Sequence, residues 1–549
     1  MNLPVRGPRL RIVAVSDVYK LDNLPRLYTL VKHHRETDPA DLFLVTLGGD
    51  FVAPSILSSL DFGRAMVDCM NAVGITHAIL GNHEDDIPIA ELRKRVGELR
   101  ACLLGTNVPS FTPALPAHQL LEVQCPGGRS VRVGLVGVVM EDPTVYRHVP
   151  FGGAGISPAN AAARSEALRL VRDDGCSCVI ALTHQPMTLD RELAEEQRSP
   201  PFPVILGAHE HVPMLERVGV TWIAKAGSEA ERAVVVDLAW PAAAPPATEE
   251  FESPEVTARL EDVAGYPEDA ALRERVNGHM AQVHELESST LVQIPAGQTL
   301  SSIGTRVRQT SMGALVCSRV RDALGAEACL FNGGGIRGSR EYRGHLAYGD
   351  VKAEVPFENE VVVARLPGSV VREAVASSRA QAPIESGGFL QVDDRMTVTA
   401  PGDLVTAIDG APLVVDRVYR VALVRDLFAG LDHIEPLVRF AHEHPESVPP
   451  AGSGRDVKMV LVDAFSVALW RQLGGFDAVD ANHDGVVTES EVEAAVARTV
   501  AEPPSPIVAG LLIHALDADH DSVISRQDAA HATDPRADEG LPAKPGQGE

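Results

Sequence analysis

Apolar positions over the first 240 residues follow two alternating rhythms. The runs RIVAVS, LFLVTL, THAIL, CVIALT and PVILGA are too short for helices and end in polar turns, which predicts buried strands. Between them, LPRLYTLVKHH and SILSSLDFGRAMVDCMNAVG carry apolar residues every three or four positions, which predicts amphipathic helices. Strands and helices in alternation predict an α/β domain over 1–245. Proline, alanine and acid then break the pattern in PAAAPPATEEFESPE, so 246–289 reads as a linker followed by a connecting helix from 256. A second α/β domain is expected over 290–472, a small all-α unit over 473–532 and a disordered tail over 533–549.

Composition narrows the partners. The 549 residues are 45% hydrophobic and 23% charged, enough apolar content for several packed cores. With 49 basic against 75 acidic residues the net charge is −26, which excludes a nucleic acid polymer as the expected partner. A small anionic ligand then requires a local positive site, such as a bound metal or a few arginines. Seven scattered cysteines make no disulfide framework, the N-terminal MNLPVRGPRLRIVAVSD shows no apolar leader, and no apolar run is long enough to span a membrane. These features predict a cytoplasmic protein with no membrane association.

The chemistry sits in the turns. Each of five apolar runs leads into metal-ligand residue types: Asp17, Asp50, Asn82 with His83, His184, and His209 with His211. Loops at the carboxyl ends of neighbouring strands converge on one edge of a sheet, and acid, amide and imidazole donors suit a pair of divalent ions. Gly48, Gly49, Gly81 and Gly207 beside these residues allow tight turns. Any one of these turns alone is more often a cap or a solvated loop.

In this order GGD, GNHE, TH and GAHEH resemble the calcineurin-like metallophosphoesterases, and GGDFVAPS, GNHEDD and AKAGSEAERAVVVDL are similar to the 5′-nucleotidase branch over about residues 9–240. The resemblance implies an α/β (α+β) multidomain fold, opening with a metallophosphoesterase β-sandwich flanked by helices. It implies two divalent or mixed-valence transition metal ions (Zn, Mn or Fe), bridged by Asp50. Asn82, His184 and His209 complete one metal site, and Asp17 and His211 serve the other. In-line attack at phosphorus by a metal-held hydroxide follows, with His83 over the phosphate and Asp86 orienting its ring; a helix-cap role for Asp86 is the alternative. One position departs from the family: D-x-H is here Asp17-Val18-Tyr19. Tyr19 either ligates as a phenolate, which suits ferric iron, or points elsewhere and leaves water in its place. His77 reads as an ordinary packed histidine.

Residues 290–472 resemble the 5′-nucleotidase C-terminal substrate-binding α/β domain through NGGGIR at 332–337, RVRQTSMG, VPFENEVVVARLPGSVV and GGFLQV. By that likeness Arg306 and Arg337 hold phosphate, Asn332 and Gly334 line the ligand turn, Phe357 offers a stacking face and Asp432 matches a family aspartate. The second aromatic of the family falls out of register, with Phe428 nearby; Phe357 and Phe428 are alternatively core.

Residues 480–491 match the twelve-residue EF-hand calcium loop, with ligands Asp480, Asn482, Asp484, Val486 (by its carbonyl), Thr488 and Glu491 and a glycine at position six. A second loop, Asp517, Asp519, Asp521, Val523, Ser525 and Asp528, is degenerate: Ser522 replaces the glycine and Asp528 the long glutamate. The expectation is an EF-hand pair binding Ca²⁺ as a clip or as a regulator, with a calcium-dependent contact inside the chain or to another protein left open. The function expected from the whole is a phosphomonoesterase acting on a 5′-nucleotide or a similar small phosphorylated substrate. The alternatives are a phosphosugar or phosphoglycerate ester phosphatase and a calcium-binding protein with an impaired phosphatase domain.

Overall fold

The computed structural model describes residues 6–533 except 127, 147–148, 196–201, 243–252, 401, 501–505, 518–520 and 522. The tail expected at 533–549 therefore lies, but for Thr533, outside the described residues. The chain divides into two compact units, Met1–Ala281 and Gln282–Glu549.

Among the described residues twelve strands build the first unit: β1 (Arg9–Val15), β2 (Leu42–Leu47), β3 (His77–Ile79), β4 (Cys102–Leu104), β5 (His118–Gln124), β6 (Ser130–Val139), β7 (Cys178–His184), β8 (Val204–Ala208), β9 (Met214–Val218), β10 (Thr221–Lys225), β11 (Arg232–Ala239) and β12 (Glu255–Asp262). They form two six-stranded sheets, in the orders β12-β11-β1-β2-β3-β4 and β5-β6-β7-β8-β10-β9. Within each sheet one block of neighbouring strands runs parallel: β1 to β4 in one, and β6, β7, β8 and β10 in the other. The near-continuous apolar runs have a simple cause, since these strands are covered on both faces. Leu10, Ile12, Val234 and Val236 of one sheet meet Val133, Leu135, Ile180, Leu182 and Leu206 of the other in a single sandwich core. The alternate positions Val136, Val138, Val179, Ala181 and Ile205 face outward onto Ala163, Ala167 and Leu170 of helix Ala159–Asp174 and Leu193 of helix Met187–Glu195.

One element differs from the expectation. The helix expected from 256 begins only at Ala270, and Glu255–Asp262 is instead β12, antiparallel to β11 at the edge of the first sheet. Val256, Ala258 and Leu260 alternate onto the sandwich core while their neighbours face solvent. That period of two is the signature of a half-buried edge strand and overrides the helical reading.

The second unit holds a five-stranded sheet ordered Leu390–Val392, Ala328–Asn332, Val418–Val424, Glu360–Pro367, Arg455–Asp456. Helices Ser311–Ala323, Gly368–Arg379 and Val457–Gln472 accompany it. Beyond them come two helix–loop–helix stretches, with helices Phe476–Val479, Glu489–Val500, Pro506–Leu516 and Arg526–Thr533. Their loops join through an antiparallel pair that sets Val487 opposite Ile524, both fully buried. Among the described residues no helix is long and apolar enough to cross a membrane.

Candidate functional site

The turns after β1, β2, β3, β7 and β8 meet at one edge of the sandwich. Asp17, Asp50 and His184 bring ligand atoms within 4.8 Å of one another, and all three are buried. His184 Nε2 lies 3.1 Å from both Asp50 Oδ2 and Asn82 Oδ1, while its Nδ1 sits 2.8 Å from the Gly48 carbonyl. With Nδ1 bonded to a backbone carbonyl, Nε2 is the nitrogen turned into the cluster; burial pulls the ring down, but Asp50 and Asp17 lift it to about 9, so a metal there would take the place of a proton. The His209 ring stands 5.5 Å from that of His184, and its backbone N–H donates to Asp17 Oδ2 at 3.3 Å. His211 is exposed, with Nε2 3.9 Å from Asp17 Oδ1. Tyr19 points inward: its hydroxyl is 3.2 Å from Asp50 Oδ2 and 3.1 Å from His211 Nε2.

Backbone geometry makes the approach feasible. Asp17 and Asp50 both adopt left-handed φ of 54°, a strained turn that aims their carboxylates at the centre. At Gly81 a Cβ would lie 2.1 Å from Asp50 Oδ1, so this position admits no side chain.

The electrostatics fit a cation. Asp17 is fully buried and among the described residues its Oδ1 has no hydrogen-bond partner, an orphaned acceptor aimed at the cluster. Burial, with the charge of Asp50 adding, pushes its carboxyl up to about 7 even though His184 works the other way. Burial also acts to raise Asp50, but His184 and His83 outweigh it and hold that carboxyl below its ordinary range. Burial pulls His83 down, while Asp50 and Asp86 lift it further, to about 10. Burial and the positive charge of His184 lower His209 to about 3, leaving it neutral and able to ligate. Burial, Asp50 and Asp17 raise the Tyr19 hydroxyl well above its ordinary value, so in this environment it is a phenol donating to Asp50. His83 donates its backbone N–H to Asp50 Oδ1 at 2.8 Å, and its Nδ1 meets Asp86 Oδ2 at 2.7 Å, so Asp86 is spent on the imidazole. His77 is buried and lies 3.0 Å from the Thr76 hydroxyl, a packed histidine.

Sequence reasoning passed over Glu84. Its carboxylate is fully buried and accepts backbone N–H bonds from Asp50 (2.9 Å), Phe51 (2.7 Å), Val52 (3.2 Å) and Gly81 (2.5 Å), stapling the GGD turn to the GNHE turn. The only available signal was an acidic residue between two ligand turns.

In the second unit Asn332 closes its strand, and Nδ2 donates to Asp432 Oδ2 at 2.7 Å, while its buried Oδ1 has no partner among the described residues. Gly333 and Gly334 N–H groups bond Phe389 and Gly387 carbonyls at 2.8 and 2.7 Å, and the Arg306 carbonyl accepts from Ser386 N–H at 3.1 Å. Asn332, Gly334, Arg306 and Asp432 therefore belong to one turn cluster. The Arg337 guanidinium carbon lies 5.2 Å from the centre of the Phe357 ring, which is 42% exposed and so is not core. Phe428 is core: it is buried and packs on Phe440 at 6.4 Å between ring centres.

In the first C-terminal loop Asp484 N–H donates to Asn482 Oδ1 (2.8 Å), Val486 N–H to Asp484 Oδ1 (3.0 Å) and the Thr488 hydroxyl to Glu491 Oε2 (2.9 Å). Asp480 is buried and its Oδ1 has no partner among the described residues. In the second loop Asp521 N–H donates to Asp517 Oδ1 (3.2 Å), Val523 N–H to Asp521 Oδ1 (3.0 Å) and Ser525 N–H to Asp528 Oδ2 (2.8 Å). Asp519 lies outside the described residues.

Known proteins share both units. Residues 10–213 match the calcineurin-like phosphoesterase family and residues 286–439 the 5′-nucleotidase C-terminal domain. A 5′-nucleotidase of Bos taurus is 24% identical over 455 residues, 74% of this chain and 77% of its own. Among solved structures, the NAD nucleotidase of Haemophilus influenzae superposes with a TM-score of 0.63 at 14% identity, and a 5′-nucleotidase precursor of Thermus thermophilus with 0.51 at 20%; each alignment covers 83% of this chain and 96% of the other. The cytoplasmic placement expected above is corrected: the Thermus thermophilus relative is described as a precursor, which points away from the cytoplasm. Seven free thiols misled, because a chain with cores this large needs no disulfides in any compartment. The chain thus carries a calcineurin-like phosphoesterase match followed by a 5′-nucleotidase C-terminal match, and is a metal-dependent phosphoester hydrolase.

Proposed function

We propose that the chain is a phosphomonoesterase that uses two metal ions on a 5′-nucleotide or a similar small phosphate ester. The observation that carries this reading is the buried convergence of Asp17, Asp50 and His184, with Asp17 Oδ1 orphaned. Asp50, Asn82, His184 and His209 would hold one ion and Asp17, Asp50 and His211 the other, with Tyr19 where the family has an imidazole. Bound there, two divalent ions lower the pKa of a water and offset charge on phosphoryl oxygens.

The chain's own groups do the rest. With Nδ1 engaged by Asp86, the proton on His83 Nε2 is the one available to a leaving oxygen. A cation on Asp50 removes part of the negative charge that keeps His83 protonated, and so brings its pKa back toward the working range. Arg306 and Arg337 supply the local positive charge an acidic chain needs to hold an anion, and Asn332 and Gly334 shape the turn beside them.

A second reading, a phosphosugar or phosphoglycerate ester as substrate, is favoured by the burial of Phe428 against Phe440. Only Phe357 then remains to face a base. The C-terminal loops we read as an EF-hand pair with Ca²⁺ in the first loop, supported by the orphaned, buried Asp480 Oδ1 and by the pairing of Val487 with Ile524.

Elemental analysis joined to steady-state hydrolysis of p-nitrophenyl phosphate, AMP and a sugar phosphate tests these readings. The expected result is about two transition ions per chain and turnover that falls at least ~100-fold in Asp50→Asn. A sugar phosphate preferred over AMP selects the second reading. Calcium binding without hydrolysis of any ester leaves a calcium-binding protein with an impaired phosphatase domain.

A further inference from the structure

We infer that Lys225 is a positioning residue for the metal centre, a buried ammonium that ties the two histidine-bearing turns of the second sheet together. The inference rests on the metal reading above and concerns residues that flank the candidate ligands.

Strands β7, β8 and β10 lie side by side and parallel, and end at the same edge. Lys225 is the last residue of β10 and is fully buried. Its Nζ donates to the carbonyls of Gln185 at 2.9 Å and Ala208 at 2.8 Å, the residues directly after His184 and directly before His209. Two carboxylates surround the same nitrogen: Asp190 Oδ2 at 2.9 Å, on a fully buried side chain, and Glu210 Oε2. Asp190 Oδ1 accepts in turn from the Thr183 hydroxyl at 2.7 Å and Gln185 Nε2 at 3.0 Å, and Glu210 Oε1 from the Met187 N–H at 2.5 Å. Residues on both sides of His184 and on both sides of His209 thus hang from one cation. Space has been kept for it, since a Cβ on Gly207 would lie 2.7 Å from both Asp190 Oδ2 and Lys225 Cε.

A buried ammonium is expensive to desolvate and persists only when fully paired, so four oxygens around one nitrogen form a rigid joint. Strands β7 and β8 are otherwise held by a ladder that stops at their ends. Lys225 extends that restraint past the ladder, to where the two imidazoles must keep a fixed separation for one ion.

The test measures Co²⁺ affinity by chelator competition, the visible Co²⁺ spectrum and thermal stability of the full chain. The variants are Glu210→Gln, whose side chain is 27% exposed, and Lys225→Met. Loss of an outer partner is expected to weaken the metal about tenfold in Glu210→Gln and up to ~100-fold in Lys225→Met, with shifted ligand-field bands. A parent that takes up no transition ion overturns the metal reading, and this inference with it. A parent that binds, with variants that bind as tightly and show the same spectrum, overturns the positioning role alone, even where their melting temperatures fall. Should Lys225→Met not fold, Glu210→Gln decides by the same two readings.

Discussion

A fully buried carboxylate that accepts four backbone N–H groups holds local structure more firmly than any single contact of the cluster it serves, and Glu84 is such a group. Glu84→Gln keeps the shape but turns one acceptor into an NH₂ facing backbone donors. The expected cost is about 2–4 kcal/mol, read from urea unfolding, with loss of transition-metal binding because the Asp50 and Gly81 turns lose their common anchor. His77 makes a separate prediction through pH. Burial lowers its pKa to about 4, so below the ordinary value of 6.5 the unfolded chain binds a proton that the folded chain refuses. Stability from this residue is complete above pH 6.5 and is lost as pH falls toward 4, about 2 kcal/mol by pH 5. His77→Gln should flatten that part of the pH dependence of the urea midpoint; an unchanged slope between pH 7 and 5 would assign it to other groups. At this scale the sequence was legible where residue type and position coincide, as at Asp17, Asp50 and His184. It was silent where an ordinary charged residue is buried by the fold, as at Glu84 and Lys225, because nothing in a sequence separates a buried glutamate from a solvated one.

Among elements, the helix Val457–Gln472 has the widest reach. Its early residues Val457, Val460 and Leu461 are buried in the second unit, while Leu469 and Trp470 enter the core formed with Val492, Leu512 and Leu516 of the C-terminal helices. After it Gly474 and Gly475 take positive φ of 97° and 73° and turn the chain into Phe476–Val479 and the first loop. An ion in that loop would therefore stabilise the far end of a helix that also belongs to the α/β layer. Calcium is expected to raise the melting temperature of the chain and to change Trp470 fluorescence, and Glu491→Gln to abolish both effects at the same calcium concentration. A fluorescence change that survives in Glu491→Gln would place the ion elsewhere. The turn after Phe476–Val479 was readable as a turn because turn spacing is a local property. The strand β12 was not, because Val256, Ala258 and Leu260 fit either a helix or an edge strand until β11 is there to pair with them.

For the whole molecule, charge is the property that no single element carries. A net charge of −26 attracts cations and repels anions over distances set by the salt. The Debye length shrinks from about 20 Å near 0.02 M salt to about 7 Å near 0.2 M, so long-range steering is strong in the first medium and largely screened in the second. The buried Asp17 and Asp50 lie in that field and draw divalent ions the same way. The second-order rate of Mn²⁺ uptake by protein freed of transition metal, with calcium present throughout, should fall several-fold across that salt range. An equal concentration of sucrose, which changes viscosity but not screening, should leave only the small diffusive effect. A rate insensitive to salt would mean that desolvation at the buried cluster, rather than the global field, limits entry. The same field opposes a phosphate ester, so the proposed substrate needs local positive charge, the part proposed above for Arg306 and Arg337. Arg337→Ala should accordingly raise KM for a dianionic ester about tenfold or more while leaving Mn²⁺ uptake unchanged. Should both measurements move together, the arginine would be acting on the metal cluster and not on the ester.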